Sequence, residues 1–329
     1  MHYRRMGKTG LALSEFSFGS WVTFGNQVNQ KAANNLMAAA YDAGINFFDN
    51  AEGYEAGESE RLMGKAISDL GWSRDSFVVS SKVFWGGSKP NQKGLSRKHV
   101  FDACHAALQR LRVDYLDLYF CHRPDVDTPI SETVAAMTDL VRQGKVMYWG
   151  TSEWNAQQIT EAWAFAKAEN MVAPVVEQPE YNLINRAKVE GEFAPLYTLT
   201  GMGLTIWSPL SSGLLTGKYL NGVPEGSRLS LPEYAWLRKS KMGDGNSDEL
   251  NKIQQLAEVA RDLDVPMHHL ALNWCLANEN VSTVILGVSK MSQLEDNLRA
   301  KESADKLTPD VLLRLDDILN NKPAGPARF

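Results

Sequence analysis

Eight short apolar runs recur along the 329 residues of this chain, and between most of them lie stretches with helical periodicity. The extended runs cover residues 15–19, 45–49, 77–82, 115–122, 146–152, 175–178, 204–208 and 283–287. Helical patterns cover 31–43, 59–70, 96–111, 130–142, 156–169 and 189–200, with others at 250–263, 269–278, 291–300 and 309–320. Such alternation builds a parallel sheet, because each helix returns the chain to the edge where the next strand begins. Eight regular units predict a closed (β/α)8 barrel, a TIM barrel, more readily than an open doubly wound sheet. Residues 3–17 turn around Gly7 and Gly10 and predict an N-terminal hairpin. The length would also admit two domains, but barrels reach this size as one, so a single domain over 1–329 is expected. Two connections are long, 83–95 and 211 to about 247. Both come after strands, which puts them at the carboxyl mouth of a barrel, and loops of this length usually serve function.

Composition narrows the class. Hydrophobic residues make up 44% and charged residues 22%, enough for a large core and unlike a disordered chain. A net charge of −5 with scattered basic residues argues against a nucleic-acid partner. Cys104, Cys121 and Cys275 have no CxxC spacing, which fits a reducing cytoplasm and neither a disulfide framework nor a metal site. No apolar run approaches the roughly 20 residues of a membrane span, and MGKTGLALSEF, next after MHYRR, lacks the apolar core of a signal peptide. Two phosphate-binding signatures fail. MGKTG has His2 where a phosphate loop needs glycine, and no GxGxxG stands after a strand. Any nicotinamide would have to be held by barrel loops.

The chemistry-bearing residues stand at the ends of the apolar runs. Asp49 closes one, Lys82 closes VVSSK, His122 closes YLDLYFCH, and Tyr54 lies just past the first of these. In a parallel barrel these ends converge on one mouth. A phenol ordinarily titrates near 10, too high for an efficient acid at neutral pH, and a nearby ammonium favours the phenolate. Lys82, kept charged by Asp49, is expected to lower the Tyr54 value, while His122 donates to or orients a carbonyl. Singly, each residue has a dull explanation as a cap, a packing group or a loop histidine. Together the four suit protonation of a carbonyl oxygen as hydride reaches its carbon.

The segments FDNAEGY, VVSSKVFWGG and LDLYFCHRPD resemble the aldo-keto reductase superfamily, whose members use Asp, Tyr, Lys and His in this order on a (β/α)8 barrel. The resemblance covers nearly the whole chain. GSWVTFG, KVFWGG, GLSRKH, YWGTSEWN, WSPLSSGLLTGKY and LGVSKMSQLEDN resemble the branch of voltage-gated potassium-channel β-subunits and their bacterial relatives. Animal channel subunits generally carry Asn where this chain has His122, so the complete set here favours an enzyme.

That resemblance implies an NADP(H) cofactor and the residues that hold it. Ser152 and Gln178 match positions at the nicotinamide carboxamide, with Ser20, Trp21, Gln27 and Asp49 nearby. Trp207, Ser208, Pro209 and Leu210, continued by Ser211 and Ser212, match the segment under the nicotinamide and pyrophosphate. Lys218 and Arg228 match basic residues near the phosphates, and Gly287, Ser289, Gln293, Asp296 and Asn297 match the adenosine-binding stretch. Many family members grip the 2′-phosphate with an arginine where this chain offers Ser289, Lys290 and Gln293, so the preference for NADPH over NADH is expected to be modest.

The expected mouth is aromatic, with Trp21, Tyr54, Phe84, Trp85 and Trp154 beside His122, and suits small hydrophobic or aromatic aldehydes and ketones. Nothing in the sequence marks a charged acid as substrate. Two other readings compete: a regulatory NADP(H)-binding subunit, and a Schiff-base lyase with Lys82 as nucleophile. Pairing with Asp49 argues against the lyase. The resembled channel subunits form four-fold rings and other relatives are monomers, and no residue distinguishes a homo-oligomer from a single chain.

Overall fold

The computed structural model describes residues 1–21, 23–25, 27–243 and 247–325. These divide into two compact units. The first comprises Met1–Pro179, Glu192–Trp207 and Glu279–Leu294, and the second the rest.

The first unit holds a closed barrel of eight parallel strands. After a hairpin of β1 (Tyr3–Arg5) and β2 (Ala12–Ser14) come β3 (Phe16–Gly19), β4 (Phe47–Asp49), β5 (Val78–Val83) and β6 (Leu116–Cys121). β7 (Val146–Ser152), β8 (Val176–Gln178), β9 (Gly203–Ile206) and β10 (Val281–Gly287) complete the set, and β10 closes the ring by pairing with β3. Every residue of β4, β5, β6, β8 and β9 is buried. Strands covered on both faces read as continuous apolar runs, which is why they stood out in the sequence. The helices of this unit are α1 (Gln30–Asp42), α2 (Glu58–Leu70), α3 (Arg97–Leu111), α4 (Ile130–Arg142), α5 (Ala156–Ala168) and the short α6 (Ala194–Leu199). Side-chain caps set the starts of three of them: Asn29 accepts from the Ala32 N–H, Ser96 from His99, and Asn155 closes a capping box with Gln158.

The barrel floor and the carboxyl mouth share one side-chain alternation. Met6 and Leu13 of the hairpin pack into one buried cluster with Phe47, Val78, Leu118, Phe120, Val176 and Ile285. Side chains repeat every two residues along a strand. Asp49 therefore shares a face with Phe47, Lys82 with Val78, His122 with Leu118 and Phe120, and Gln178 with Val176. The same inward register that fills the floor with hydrocarbon delivers the polar groups one or two steps later at the rim. Gly7 makes the hairpin seat possible: at φ +53, a Cβ there would lie 2.2 Å from the Gly201 carbonyl oxygen.

In the second unit lie α7 (Ala235–Met242), α8 (Ser247–Asp262), α9 (Met267–Ala277) and α11 (Pro309–Leu319), while α10 (Met291–Arg299) begins in the first unit and ends in the second. Leu256, Leu270 and Leu315 are buried, and the Trp274 ring lies tilted against Tyr181 at 5.0 Å. Arg186 bonds Glu190 at 2.7 Å and Asp316 at 2.5 Å and lies over the Trp274 ring.

Three expectations on secondary structure need correction. Instead of one helix over 189–200 there is a π turn at Lys188–Glu192 and then α6, because Pro195 can enter a first turn but cannot continue a helix. The stretch 211–247, read as loop, contains 3₁₀ turns and α7. The sequence AWLRKSKM buries only Leu237, too few apolar positions to advertise a helix. The segment 83–95 is also more ordered than a plain loop, since Trp85 and Lys93 form an antiparallel bridge and Gly94 donates to the Phe84 carbonyl at 3.0 Å.

Candidate active site

Four strand ends and one turn assemble the core of the site. Lys82, fully buried, donates from Nζ to Asp49 Oδ2 at 2.6 Å, to the Asn50 carbonyl oxygen at 2.8 Å and to the Tyr54 hydroxyl at 3.1 Å. Ser80 holds the other Asp49 oxygen at 2.7 Å, and Gln178 Nε2 reaches it at 3.2 Å. The Tyr54 and His122 rings meet edge-on at 5.7 Å. Tyr54 itself opens a turn in which Glu55 and Ala56 take left-handed φ values of 47 and 51. Two successive side-chain-bearing residues there hold backbone strain, a feature concentrated at functional sites. Glu52, in the same turn, donates its N–H to the Lys82 carbonyl at 3.2 Å, tying strand to turn.

The electrostatics differ from the sequence expectation at one point. Burial opposes the charge on Lys82, but Asp49 and Tyr54 outweigh it and hold the ammonium above its ordinary value. An amine so paired is a poor nucleophile, which disfavours the Schiff-base reading. Burial pushes the Tyr54 phenol above its ordinary value, and Lys82 pulls it back only in part. The expected net depression of the phenol is therefore absent: desolvation wins over one ammonium already shared with Asp49. His122 is held well below its ordinary value by burial, with Lys82 and Arg123 adding to the effect. It is a neutral imidazole, and its buried Nδ1 has no hydrogen-bond partner among the described residues.

Around this core, Phe84 and Trp85 meet at 5.1 Å and Trp85 faces His122 at 4.8 Å. Trp85 is 40% exposed, an aromatic surface open to solvent. Trp21 stands edge-on to Trp207 at 6.0 Å, and the Trp207 indole donates to Glu153 at 3.0 Å. Trp154 is enclosed, and its indole N–H has no partner among the described residues.

The expected cofactor residues fall into groups. Ser20 bonds the Asp49 carbonyl at 2.9 Å, and Ser152 donates to the Gln178 carbonyl at 2.8 Å, so both stand against the core. The Gln178 amide nitrogen is engaged with Asp49 and Thr205, and no described residue donates to its side-chain oxygen. Gly287 ends β10, and the Ser289 N–H and hydroxyl both reach Gln293 Oε1, at 2.9 and 3.3 Å. Gln27 is exposed. In the second unit Ser208, Ser211 and Ser212 all take positive φ, with Pro209 buried and Leu210 half-buried between them. Lys218 lies over the Tyr219 ring at 5.0 Å, and burial lowers the Arg228 guanidinium below its ordinary value. Asp296 pairs with His268 at 2.8 Å and His269 at 3.4 Å, and Asn297 is buried.

Several residues of the site escaped sequence reasoning. Ser80 and Asn50 orient the Asp49–Lys82 pair, Glu52 and His99 anchor the segment 83–95, and Arg123 projects beside His122. Arg123 stands in the HRPD run directly after the histidine, a signal that was legible. His99 lies inside a helix 17 residues past Lys82, and nothing local marks it.

The donor set suits the residue pattern of a known family. Residues 15–320 match the Aldo/keto reductase family. The chain is 50% identical to a protein of Oryza sativa subsp. japonica described as a probable voltage-gated potassium channel subunit beta, over 98% of each chain. It is likewise 50% identical over 100% of each chain to an Arabidopsis thaliana protein of the same description. With the barrel, the rim residues and these end-to-end matches in agreement, the chain belongs to the aldo/keto reductase family.

Proposed function

We propose that the protein is an NADPH-dependent reductase of small hydrophobic or aromatic aldehydes and ketones. The observation that carries this reading is the single ammonium of Lys82 bridging Asp49 and the Tyr54 hydroxyl, beside a neutral His122. When bound, the reduced nicotinamide supplies the hydride that reaches the carbonyl carbon. The chain's own residues supply the rest. His122 and Tyr54 hold the carbonyl oxygen, and Tyr54 gives it the proton as the C=O π pair becomes the new O–H bond. Lys82 stabilises the phenolate left behind until solvent reprotonates it, and Asp49 keeps Lys82 charged. Phe84, Trp85 and Trp21 are proposed as the lining, where apolar walls strengthen each of these interactions, while Trp154, expected there, is buried and presents no surface to a substrate.

The residues fit a nicotinamide. A carboxamide needs an acceptor for its N–H and a donor for its oxygen; Gln178 Oε1, to which no described residue donates, can accept, and the Ser152 hydroxyl donates to the oxygen once it turns from the Gln178 carbonyl. From the family pattern we also assign Gly287, Ser289 and Gln293, and in the second unit Ser208, Pro209, Leu210, Ser211, Ser212, Lys218, Arg228, Asp296 and Asn297, as cofactor contacts. The proposed setting is one catalytic domain in the cytoplasm; no described helix is long and apolar enough to cross a membrane. Titrating tryptophan fluorescence with NADPH and NADH, then monitoring NADPH consumption over a panel of benzaldehydes, tests the proposal. Binding without consumption of any aldehyde would favour the second reading, a regulatory NADP(H)-binding subunit, for which the likeness to the plant channel β-subunits speaks.

A further inference from the structure

Arg123 is the first residue past His122, at the carboxyl end of β6. Its Nη1 donates to the His122 carbonyl at 2.5 Å and reaches the Ser152 hydroxyl at 3.4 Å. Its guanidinium lies 5.2 Å from the centre of the Trp85 ring, the ring that faces His122 at 4.8 Å. The side chain is half-buried, and among the described residues no carboxylate pairs with it. The acids of the site are committed elsewhere. Asp49 holds Lys82, Asp125 takes the Leu95 and Asp127 N–H groups and the Thr128 hydroxyl, and Glu153 takes the Trp207 indole. A half-buried cation without a counter-ion is unusual, and a guanidinium presents a fork of donors shaped for a carboxylate. Its charge reaches the reacting groups, since it opposes protonation of His122 and favours ionisation of Tyr54.

We propose that Arg123 is a specificity-determining residue that selects aldehydes bearing a carboxylate on an aromatic ring: the ring against Trp85, the carboxylate on Arg123, the carbonyl between Tyr54 and His122. The inference rests on the reductase reading and names its substrate class. It departs from the sequence expectation that nothing at the mouth marks an acid. The anion is not assigned to the cofactor's terminal phosphate, because β6 lies four places round the eight-strand ring from β10, after which Ser289 and Gln293 stand.

The test compares each carboxybenzaldehyde isomer with the nitrobenzaldehyde of the same substitution, which is planar, similar in size and neutral. In wild type and Arg123→Met, the ratio of kcat/KM for acid over nitro compound is measured. Taking the ratio removes intrinsic reactivity and any general effect on the His122 carbonyl. For at least one isomer the ratio should fall at least about tenfold in Arg123→Met, the worth of one hydrogen bond between charged groups, mainly through KM. Arg123→Lys should restore part of it, and 0.5 M salt should weaken the wild-type preference. Equal losses for acid and nitro compounds at every isomer would leave Arg123 a merely structural residue and overturn the proposal. So would a tenfold loss of NADPH affinity in Arg123→Met, which would give the guanidinium to the cofactor. Should wild type reduce neither class, the reductase reading fails, and the fluorescence titration with carboxybenzaldehyde and NADP⁺ decides Arg123 separately. Binding lost in Arg123→Met upholds the anion site, and unchanged binding refutes it.

Discussion

Glu52→Gln probes how the aromatic segment is held against the chemistry. Glu52 is buried; Oε1 accepts the Phe84 N–H at 2.7 Å and Oε2 faces His99 Nε2 at 3.3 Å. The other His99 nitrogen faces the Gly94 carbonyl at 2.9 Å. Neither acceptor can donate, so the ring satisfies both only as an imidazolium. Burial opposes that charge, but Glu52, the Gly94 carbonyl and Asp102 outweigh it and hold His99 above its ordinary value. Phe84 and Gly94 lie near the two ends of the segment 83–95, so one ion pair fastens both to the turn bearing Tyr54. There is no spare room, for a Cβ on Gly86 would come within 2.7 Å of His99 Nε2 and 2.8 Å of Glu52 Oε2. Glutamine keeps the acceptor for Phe84 and the shape, and removes the charge. A hydrogen bond to a charged group is worth about 1.5–3 kcal/mol, and the 3.3 Å separation argues for about 1.5. Unfolding entropy of about 2.1 cal/mol/K per residue over 329 residues turns this into a fall in Tm of about 2 °C. The pH dependence carries the sharper test. Because the folded value of His99 is raised, its contribution is complete below the unfolded value of about 6.5 and is lost as pH rises through the folded one. The gap between wild type and variant, read by thermal melts from pH 6 to 10, should be widest near pH 6 and shrink as pH rises. A gap that is constant, or widest at alkaline pH, would refute a charged latch.

Lys82→Met removes the one group that lowers the Tyr54 phenol most strongly against burial, so the alkaline limb of alcohol oxidation, which needs phenolate, should move to higher pH; an unmoved limb would detach Lys82 from the phenol. The same variant leaves Asp49 buried without its partner and should cost about 3–5 kcal/mol in denaturant melts. His122→Asn should leave a slow but measurable reductase, and in the wild type kcat should show no inflection near pH 6.5, since His122 is neutral there. Replacing Ser289 and Gln293 together with alanine should weaken NADPH more than NADH in fluorescence titrations; equal losses would put recognition of the 2′-phosphate on other residues, Lys218, Arg228 or Lys290 among them.

The barrel was legible because parallel strands buried on both faces leave continuous apolar runs, and the observed strand limits mostly fall within one or two residues of those read. Asp49, Lys82, His122, Ser152 and Gln178 were legible for the same reason, as each breaks such a run at its carboxyl end. What escaped detection depends on distance in sequence. The Glu52–His99 pair joins residues 47 apart, and Ser81 reaches Glu60 across 21. α7 escaped because little of it is buried. The direction of the Tyr54 shift escaped because burial is a property of the folded surroundings, and local sequence discloses the neighbouring ammonium without the desolvation that opposes it.

The most direct test of the central claim is the rate of NADPH-dependent aldehyde reduction by Tyr54→Phe. Phenylalanine keeps the ring against His122 and removes the hydroxyl that Lys82 bonds at 3.1 Å. The account predicts NADPH affinity near that of the wild type and turnover lower by roughly 10²–10⁴-fold, the worth of general acid catalysis. Turnover near the wild-type rate would contradict the assignment of Tyr54 as the proton donor and leave His122 as the candidate.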